Sequence, residues 1–394
     1  MLKKYPKWFW FALLGFLIFI TLGAYFKIFH AEFVYDDYAF IVNNKAIQSF
    51  SPFSKFFLGP DIFTGSQEGE AGGRNWRPVA SLAFAIQYAF FGKNPFGFHF
   101  TSILLHILNL ILVYLLVMKL TKRVGVAALV AAFWALHPAL TEAVSWISNQ
   151  SSLIFFSFFI LAVLAILKYR ENKDKKFFLW FSYLFFTLSL LTKETALGGI
   201  FIIPFVFLLN YRESFKTNFR KILISSLPFA LIGLAYFYAR YKILGTLGDH
   251  ALRGSFLENL ALAPAIFLKY LSLAAWPLNL LLDYSNYSLP SGFLDARVMF
   301  GILLFGIFSL LTWYAFKKSI LFFSFGLVWF ISFLSPALQI IPFQDIIGER
   351  FLYAPIVGFF LSVAVGFEYV LSRFNSKIKF YLNFIGLILV VVIF

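Results

Sequence analysis

Cysteine is absent from the 394 residues, and charge is scarce: 13% of the side chains are charged and only 18 are acidic. Without thiols there is no disulfide framework and no thiolate metal site, so an oxidising exterior is neither required nor excluded. A soluble globular chain is excluded by 61% hydrophobic residues and a mean hydropathy of +0.83. Internal repeats and low-complexity tracts are also missing, and no polar stretch reads as a soluble domain. What is there is an all-α polytopic membrane protein. Phe leads the aromatics with 57 copies and is tolerated anywhere in lipid, whereas the 9 Trp and 19 Tyr favour the interfaces.

Eleven apolar runs approach the length needed to cross a bilayer, near 8–28, 99–118, 124–141, 151–168, 177–192, 196–210, 222–243, 298–316, 319–341, 351–371 and 379–394. Lys3, Lys4 and Lys7 precede the first run, which is too long for a signal peptide and lacks a clear small-residue cleavage site. An uncleaved first helix with a cytoplasmic N-terminus is therefore expected. The inner segments are then 1–7, 119–123, 168–176, 211–221, 316–318 and 372–379. They hold 20 of the 33 basic residues but only Glu171, Asp174 and Glu213 of the acids. This bias satisfies the positive-inside rule and assigns the net charge of +15 to lipid headgroups, not to nucleic acid. It also places the polar helix ends discussed below on the outer face.

Residues 1–394 read as one membrane domain with two larger outer segments. The first outer loop, 29–98, is expected to carry a short interfacial helix over 46–58 and a mobile Gly- and Glu-rich stretch over 65–73. The second, 244–297, contains an apolar stretch over 257–282 whose inclusion as a span would reverse the charge bias downstream. Pro264, Lys269 and the Trp276-Pro277 break interrupt it, so it is expected to be a re-entrant or interfacial helix.

Carboxylates, histidines and arginines gather at the outer helix ends, while the span middles are nearly free of charge. Asp36 and Asp37 follow the first span directly. Adjacent carboxylates at a membrane edge repel and are poorly screened, which raises one pKa; the plain reading is that they stop the helix and face solvent. Arg74 and Arg77 flank Asn75-Trp76, just before a helix expected to start at Pro78, and their planar forks suit either a phosphate or lipid headgroups. His99 and His106, seven residues apart, share a helix face, but nothing nearby completes a metal ligand set, so no metal is assigned. His137 and Glu142 close the third span. Lys193 and Glu194 occupy a hairpin with almost no loop, where neighbours in one turn have poor geometry for pairing with each other. Asp283 and Tyr284 follow the second outer segment, and Glu349 with Arg350 opens the tenth span. Together these rims outline one vestibule.

The ordered motifs VYDDYAFIVNN, NWRPVASLAFAIQYAFFGKNPFGFHFTSILLHILNL, ALHPALTEAVSWI, LLTKETA, WPLNLLLDYSNYSLP and IGERFLYAPIVGF resemble the membrane region of the tetratricopeptide-repeat-containing protein O-mannosyltransferases, within the GT-C glycosyltransferase superfamily. The resemblance runs from about Phe33 to Phe360; the repeats of that family are absent here. It implies a GT-C-like membrane fold, a polyprenyl- or dolichyl-phosphate sugar donor, a protein or lipid-linked acceptor with Ser/Thr hydroxyls foremost, and a site on the periplasmic, extracellular or luminal face. It further implies inverting displacement with Asp36 or Asp37 as base, Asp36 preferred because the family places its base at the first acid of the pair. Arg77, Lys193, Arg350 and, in reserve, Arg74 are then the candidates for the donor phosphate. Glu142, His137, His99, Glu194, Asp283, Tyr284 and Glu349 are candidates for positioning the acceptor or sugar. No cofactor is expected, a divalent metal is not excluded, and membrane lipids are the remaining partners. A lipid or solute transporter is the competing class. Transporters commonly carry polar residues at the midplane, and here the midplanes are bland.

Overall fold

The computed structural model describes residues 7–59, 62, 75–172, 174–209, 215–245, 256–340 and 345–374. Among them the regular structure is helical, with no strand. In chain order the α-helices are α1 (Lys7–Tyr25), α2 (Lys55–Leu58), α3 (Pro78–Phe91), α4 (Pro95–Thr121), α5 (Val124–Ala135), α6 (Thr141–Ser145) and α7 (Gln150–Glu171). They continue as α8 (Phe177–Thr192), α9 (Gly199–Leu208), α10 (Phe215–Leu244), α11 (Phe256–Ala275), α12 (Ala296–Lys317), α13 (Leu321–Leu334) and α14 (Pro355–Leu371).

Helices stand at ten of the expected spans; the eleventh, 379–394, lies outside the described residues, as do Arg74 and the 65–73 stretch. Among the described residues, six helical stretches are long and apolar enough to cross a membrane, seven if α5 and the segment Pro138–Ser145, bent from it by 58°, form one broken span. The chain is thus a multi-pass membrane protein. α8 and α14, with 16 and 17 residues, and α9 with 10 are shorter, so length alone does not establish the total of eleven. The 46–58 region forms two short turns, Lys45–Gln48 and α2, whose Ile47 and Phe56 pack on Ala80 and Phe84 of α3. The 257–282 stretch begins as the regular helix α11, which packs along α12, and passes into irregular chain from Trp276.

Lipid on the outside means that the apolar periphery needs no cover, and α1 accordingly leaves Phe11 and Phe19 exposed. The interior is built around α7, fourteen of whose 22 residues are buried. Its Phe156 and Phe159 meet Trp329 and Phe333 of α13 edge to face, with Phe159 and Phe333 centroids 4.8 Å apart. Between helices in lipid, close approach depends on small residues. A side chain on Gly326 would collide with the Gly358 carbonyl, and one on Gly358 with that of Gly326, so α13 and α14 touch backbone to backbone there. The residues leading into α14 are fixed by two indoles: Trp134 Nε1 donates to the Tyr353 carbonyl (2.8 Å) and Trp329 Nε1 to that of Ala354 (2.9 Å).

Candidate active site

The acidic motif is a tight turn. Tyr35 adopts a left-handed conformation (φ 47°), and the Asp37 N–H closes the turn on the Val34 carbonyl at 2.9 Å. Asp37 points inward, where one oxygen accepts from Ser148 N (2.8 Å) and Oγ (2.5 Å) and the other from Val34 N (3.1 Å). Burial pushes its carboxyl above the usual range, against these hydrogen bonds. Asp37 is therefore the bolt joining the loop after α1 to the corner before α7. Its neighbour Asp36 is exposed and makes no hydrogen bond among the described residues. Desolvation by the surrounding protein raises its pKa; Arg350 opposes the shift and Asp345 adds to it. The two adjacent acids thus differ in kind: one is structural, the other is presented.

Arg350 faces Asp36 from the turn before α14. Pro138 ends α5 and turns the chain, which brings Glu142 on α6 to this position. Glu142 accepts from the Arg350 backbone N–H at 2.8 Å and pairs with its guanidinium, whose other arm pairs with Asp345. Trp146 and Phe351 lie against the guanidinium at 5.4 and 5.1 Å. The two carboxylates holding Arg350 are unequal. The Glu142 side chain is 4% exposed and that of Asp345 54%, so an incoming anion exchanges with Asp345 at far lower cost.

Lys193 sits behind Arg350, buried, with Nζ donating to Ser152 Oγ at 2.6 Å and lying 5.4 Å from the Phe351 ring. Burial, with the nearby Arg77 guanidinium, lowers its pKa to about 7. Gly198, where a side chain would strike the Ser332 carbonyl, lets this hairpin nest against α13. Glu194 does not pair with Lys193. Arg77 grips it with two bonds, at 2.6 and 3.2 Å, and Arg240 approaches to 3.6 Å. Although burial raises the Glu194 pKa, these two guanidiniums hold it well below the usual carboxylate range. A small crevice lined by Ser152, Lys193, Thr195, Arg350 and Phe351 opens here, and among the described residues the buried Thr195 Oγ1 has no hydrogen-bond partner.

The fold therefore brings Asp36, Glu142, Lys193, Glu194, Arg77 and Arg350 to one end of the bundle. Other candidates lie elsewhere or do other work. His137 is fully buried, its Nδ1 accepting from Ala139 N and its Nε2 meeting the Ala274 carbonyl, so it caps a turn under α11. His99 is buried against the Ala31–Glu32 backbone, below the acidic turn. Asp283 is exposed and bonds its own turn through Ser285 N and Oγ, so the structure shows it as a turn-former. Tyr284 donates to Glu349 (2.8 Å), which also accepts from Leu281 N (2.7 Å), and this clasp fixes the irregular chain after α11 to the turn carrying Arg350. No group of three potential metal ligands occurs among the described residues. His106 instead bonds the Tyr353 hydroxyl and the Ala135 carbonyl.

Sequence reasoning passed over Ser148, Ser152, Arg240 and Asp345. Serines in apolar runs carry no signal by themselves. Arg240 does, as a cation within an apolar helix that must find a partner.

A family described as dolichyl-phosphate-mannose-protein mannosyltransferase matches residues 76–239. The resemblance carried by the motifs holds. Protein O-mannosyl-transferase F38B6.6 of Caenorhabditis elegans is 26% identical over 91% of this chain and 52% of its own length. Mouse Protein O-mannosyl-transferase TMTC4 is 26% identical over 92% and 56%, and human TMTC1 is 29% identical over 50% and 24%. The chain spans about half the length of the curated relatives it matches along most of its own. Among solved structures, ArnT from Cupriavidus metallidurans bound to undecaprenyl phosphate superposes with a TM-score of 0.51, covering 98% of this chain and 64% of ArnT at 12% identity. The fold is GT-C.

Proposed function

We propose that the protein is an integral-membrane glycosyltransferase that moves a sugar, mannose-like, from a polyprenyl-phosphate donor to an acceptor hydroxyl, protein Ser/Thr foremost, by inverting displacement. The observation that carries this reading is the division of labour in the acidic pair: Asp37 is held by three hydrogen bonds, leaving Asp36 presented beside Arg350. Names of the relatives and the lipid phosphate bound by ArnT support the donor class.

In this mechanism the Asp36 carboxylate takes the acceptor proton as the acceptor oxygen bonds the anomeric carbon. The bond from that carbon to the phosphate oxygen breaks, and its electron pair leaves with the lipid phosphate. A pKa raised above the usual carboxylate value makes Asp36 a stronger base without a second group. The leaving phosphate needs positive charge, not a proton, and Arg350 and Lys193 supply it in a place from which protein excludes most water. Asp345 yields its arm of Arg350 to the phosphate, and Thr195 Oγ1 offers a further donor. Arg77, already paired with the Glu194 carboxylate that Arg240 also approaches, fixes the Lys193 hairpin from behind and sets its field. The reading routes no step through a cofactor or metal. The charge bias of the short segments supports placing this end on the outer face and the N-terminus in the cytoplasm.

The test uses purified protein in vesicles with tritiated mannosyl polyprenyl phosphate and a Ser/Thr-rich peptide. Label is expected on the peptide, lost in Asp36→Asn. Label that crosses the bilayer but never leaves its lipid would instead establish a flippase.

A further inference from the structure

A roomy cavity lies at the other end of the bundle from Asp36. It is a groove of about 550 Å³ between α9, α10, α12 and α13, with Pro204, Leu208, Ile222, Trp313, Phe316 and Ile331 in its wall. That volume is in the ~300–1,000 Å³ range of small-molecule sites. Three hydroxyl residues, Ser309, Thr312 and Ser332, also line it; Ser309 Oγ and Thr312 Oγ1 donate to the Phe305 and Phe308 carbonyls of their own helix, and the other nine lining residues are apolar. Pro204 inside α9 removes one helical hydrogen bond at this wall.

The rim differs sharply from the wall. Lys317 Nζ lies 4.9 Å from the Trp313 ring centroid, so a cation sits at the mouth. Arg220 and Lys221, both exposed, share the helical turn of the lining residues Phe219 and Ile222 without lining the wall, so that their long stems can carry charge to the groove's edge, and Lys318 follows Lys317. An apolar trough beneath a basic rim at a membrane interface is complementary to one chemistry, an acyl chain below an anionic headgroup.

We propose that this groove is a binding site for an anionic glycerophospholipid of the leaflet opposite the active site, with one acyl chain between α9 and α12 and the headgroup against Lys317, Arg220 and Lys221. The donor lipid is not the occupant, because its charge belongs at Lys193 and Arg350, at the far end of α9 from Leu208. The lipid wedges α9, which carries the Lys193 hairpin at its start, against α13, and so supports the site from below.

The test reconstitutes the full chain in phosphatidylcholine vesicles containing brominated phosphatidylglycerol or brominated phosphatidylcholine and reads tryptophan quenching. Greater quenching by the anionic lipid is expected, and the excess disappears in Trp313→Phe. Each of Lys317→Gln, Arg220→Gln and Lys221→Gln, all on exposed side chains, is expected to weaken the preference by about five-fold. Native mass spectrometry should show one retained phosphatidylglycerol that added polyprenyl phosphate does not displace. Equal quenching by both lipids, an excess that persists without Trp313, or displacement by polyprenyl phosphate would each overturn the proposal.

Discussion

Replacing each acid of the motif by its amide separates a base from a bolt. Asp36→Asn alters an exposed side chain with no hydrogen bond to lose among the described residues, so folding stability should be unchanged within about 0.5 kcal/mol. Transfer should fall by ~10²–10⁴-fold, the contribution of a positioned base, with the donor KM little changed. The pH profile gives an independent sign. Asp36 works as the anion and its pKa lies above the usual carboxylate value, so wild-type kcat should decline as pH drops through that raised value, and the decline should vanish in the variant. Asp37→Asn behaves differently. Its three donors, Ser148 N, Ser148 Oγ and Val34 N, converge on two oxygens, and an amide nitrogen in place of one oxygen sets donor against donor. The cost is about 1–3 kcal/mol, seen in thermal unfolding in detergent, with a partial loss of transfer as the turn shifts. The assay is tritiated sugar transfer beside a melting curve for each variant. Asp36→Asn with more than half of wild-type transfer, or Asp37→Asn with unaltered stability, would refute the division of roles.

Lys193, with its pKa near 7, makes donor binding pH-dependent: KM for the donor is expected to rise as pH passes above about 7 and the ammonium is lost. Because the unfolded lysine keeps its proton to its ordinary value, the burial penalty is full below pH 7 and relieved between there and the normal lysine range. Wild-type stability should therefore climb over that window, and Lys193→Met should flatten the climb while abolishing donor binding. Asp345→Asn frees one arm of Arg350, which should lower the donor KM by up to about five-fold, the yield of an exposed ion pair. It should also move the acid limb of kcat to lower pH, since Asp345 raises the Asp36 pKa. Glu194→Gln strips the shared carboxylate from Arg77 and Arg240, leaves two buried cations facing each other, and is expected to cost about 3–5 kcal/mol in thermal stability.

Much of the architecture was legible from the chain itself, because lipid allows few solutions: apolar runs become helices, and charge marks their ends. Hence ten of the expected spans coincide with helices, and Asp36, Glu142, Lys193 and Arg350, each read as a rim residue, meet at one end. Local sequence also told against an ion pair between Lys193 and Glu194, since neighbours in a turn point apart. Long-range choices were another matter. That Glu194 is claimed by Arg77, 117 residues away, and by Arg240, that Ser148 takes Asp37, and that Asp345 covers Arg350 follow from how helices pack, and helix packing in lipid turns on close contacts such as Gly326 with Gly358. His99 and His137 show the reverse: their positions at helix ends made them rim candidates, yet packing turned both inward. Sequence determined which groups stand near the membrane surface, because hydration dictates that one residue at a time. Only the tertiary structure decided which of them remain available, because a hydrogen-bond partner is chosen by distance in space.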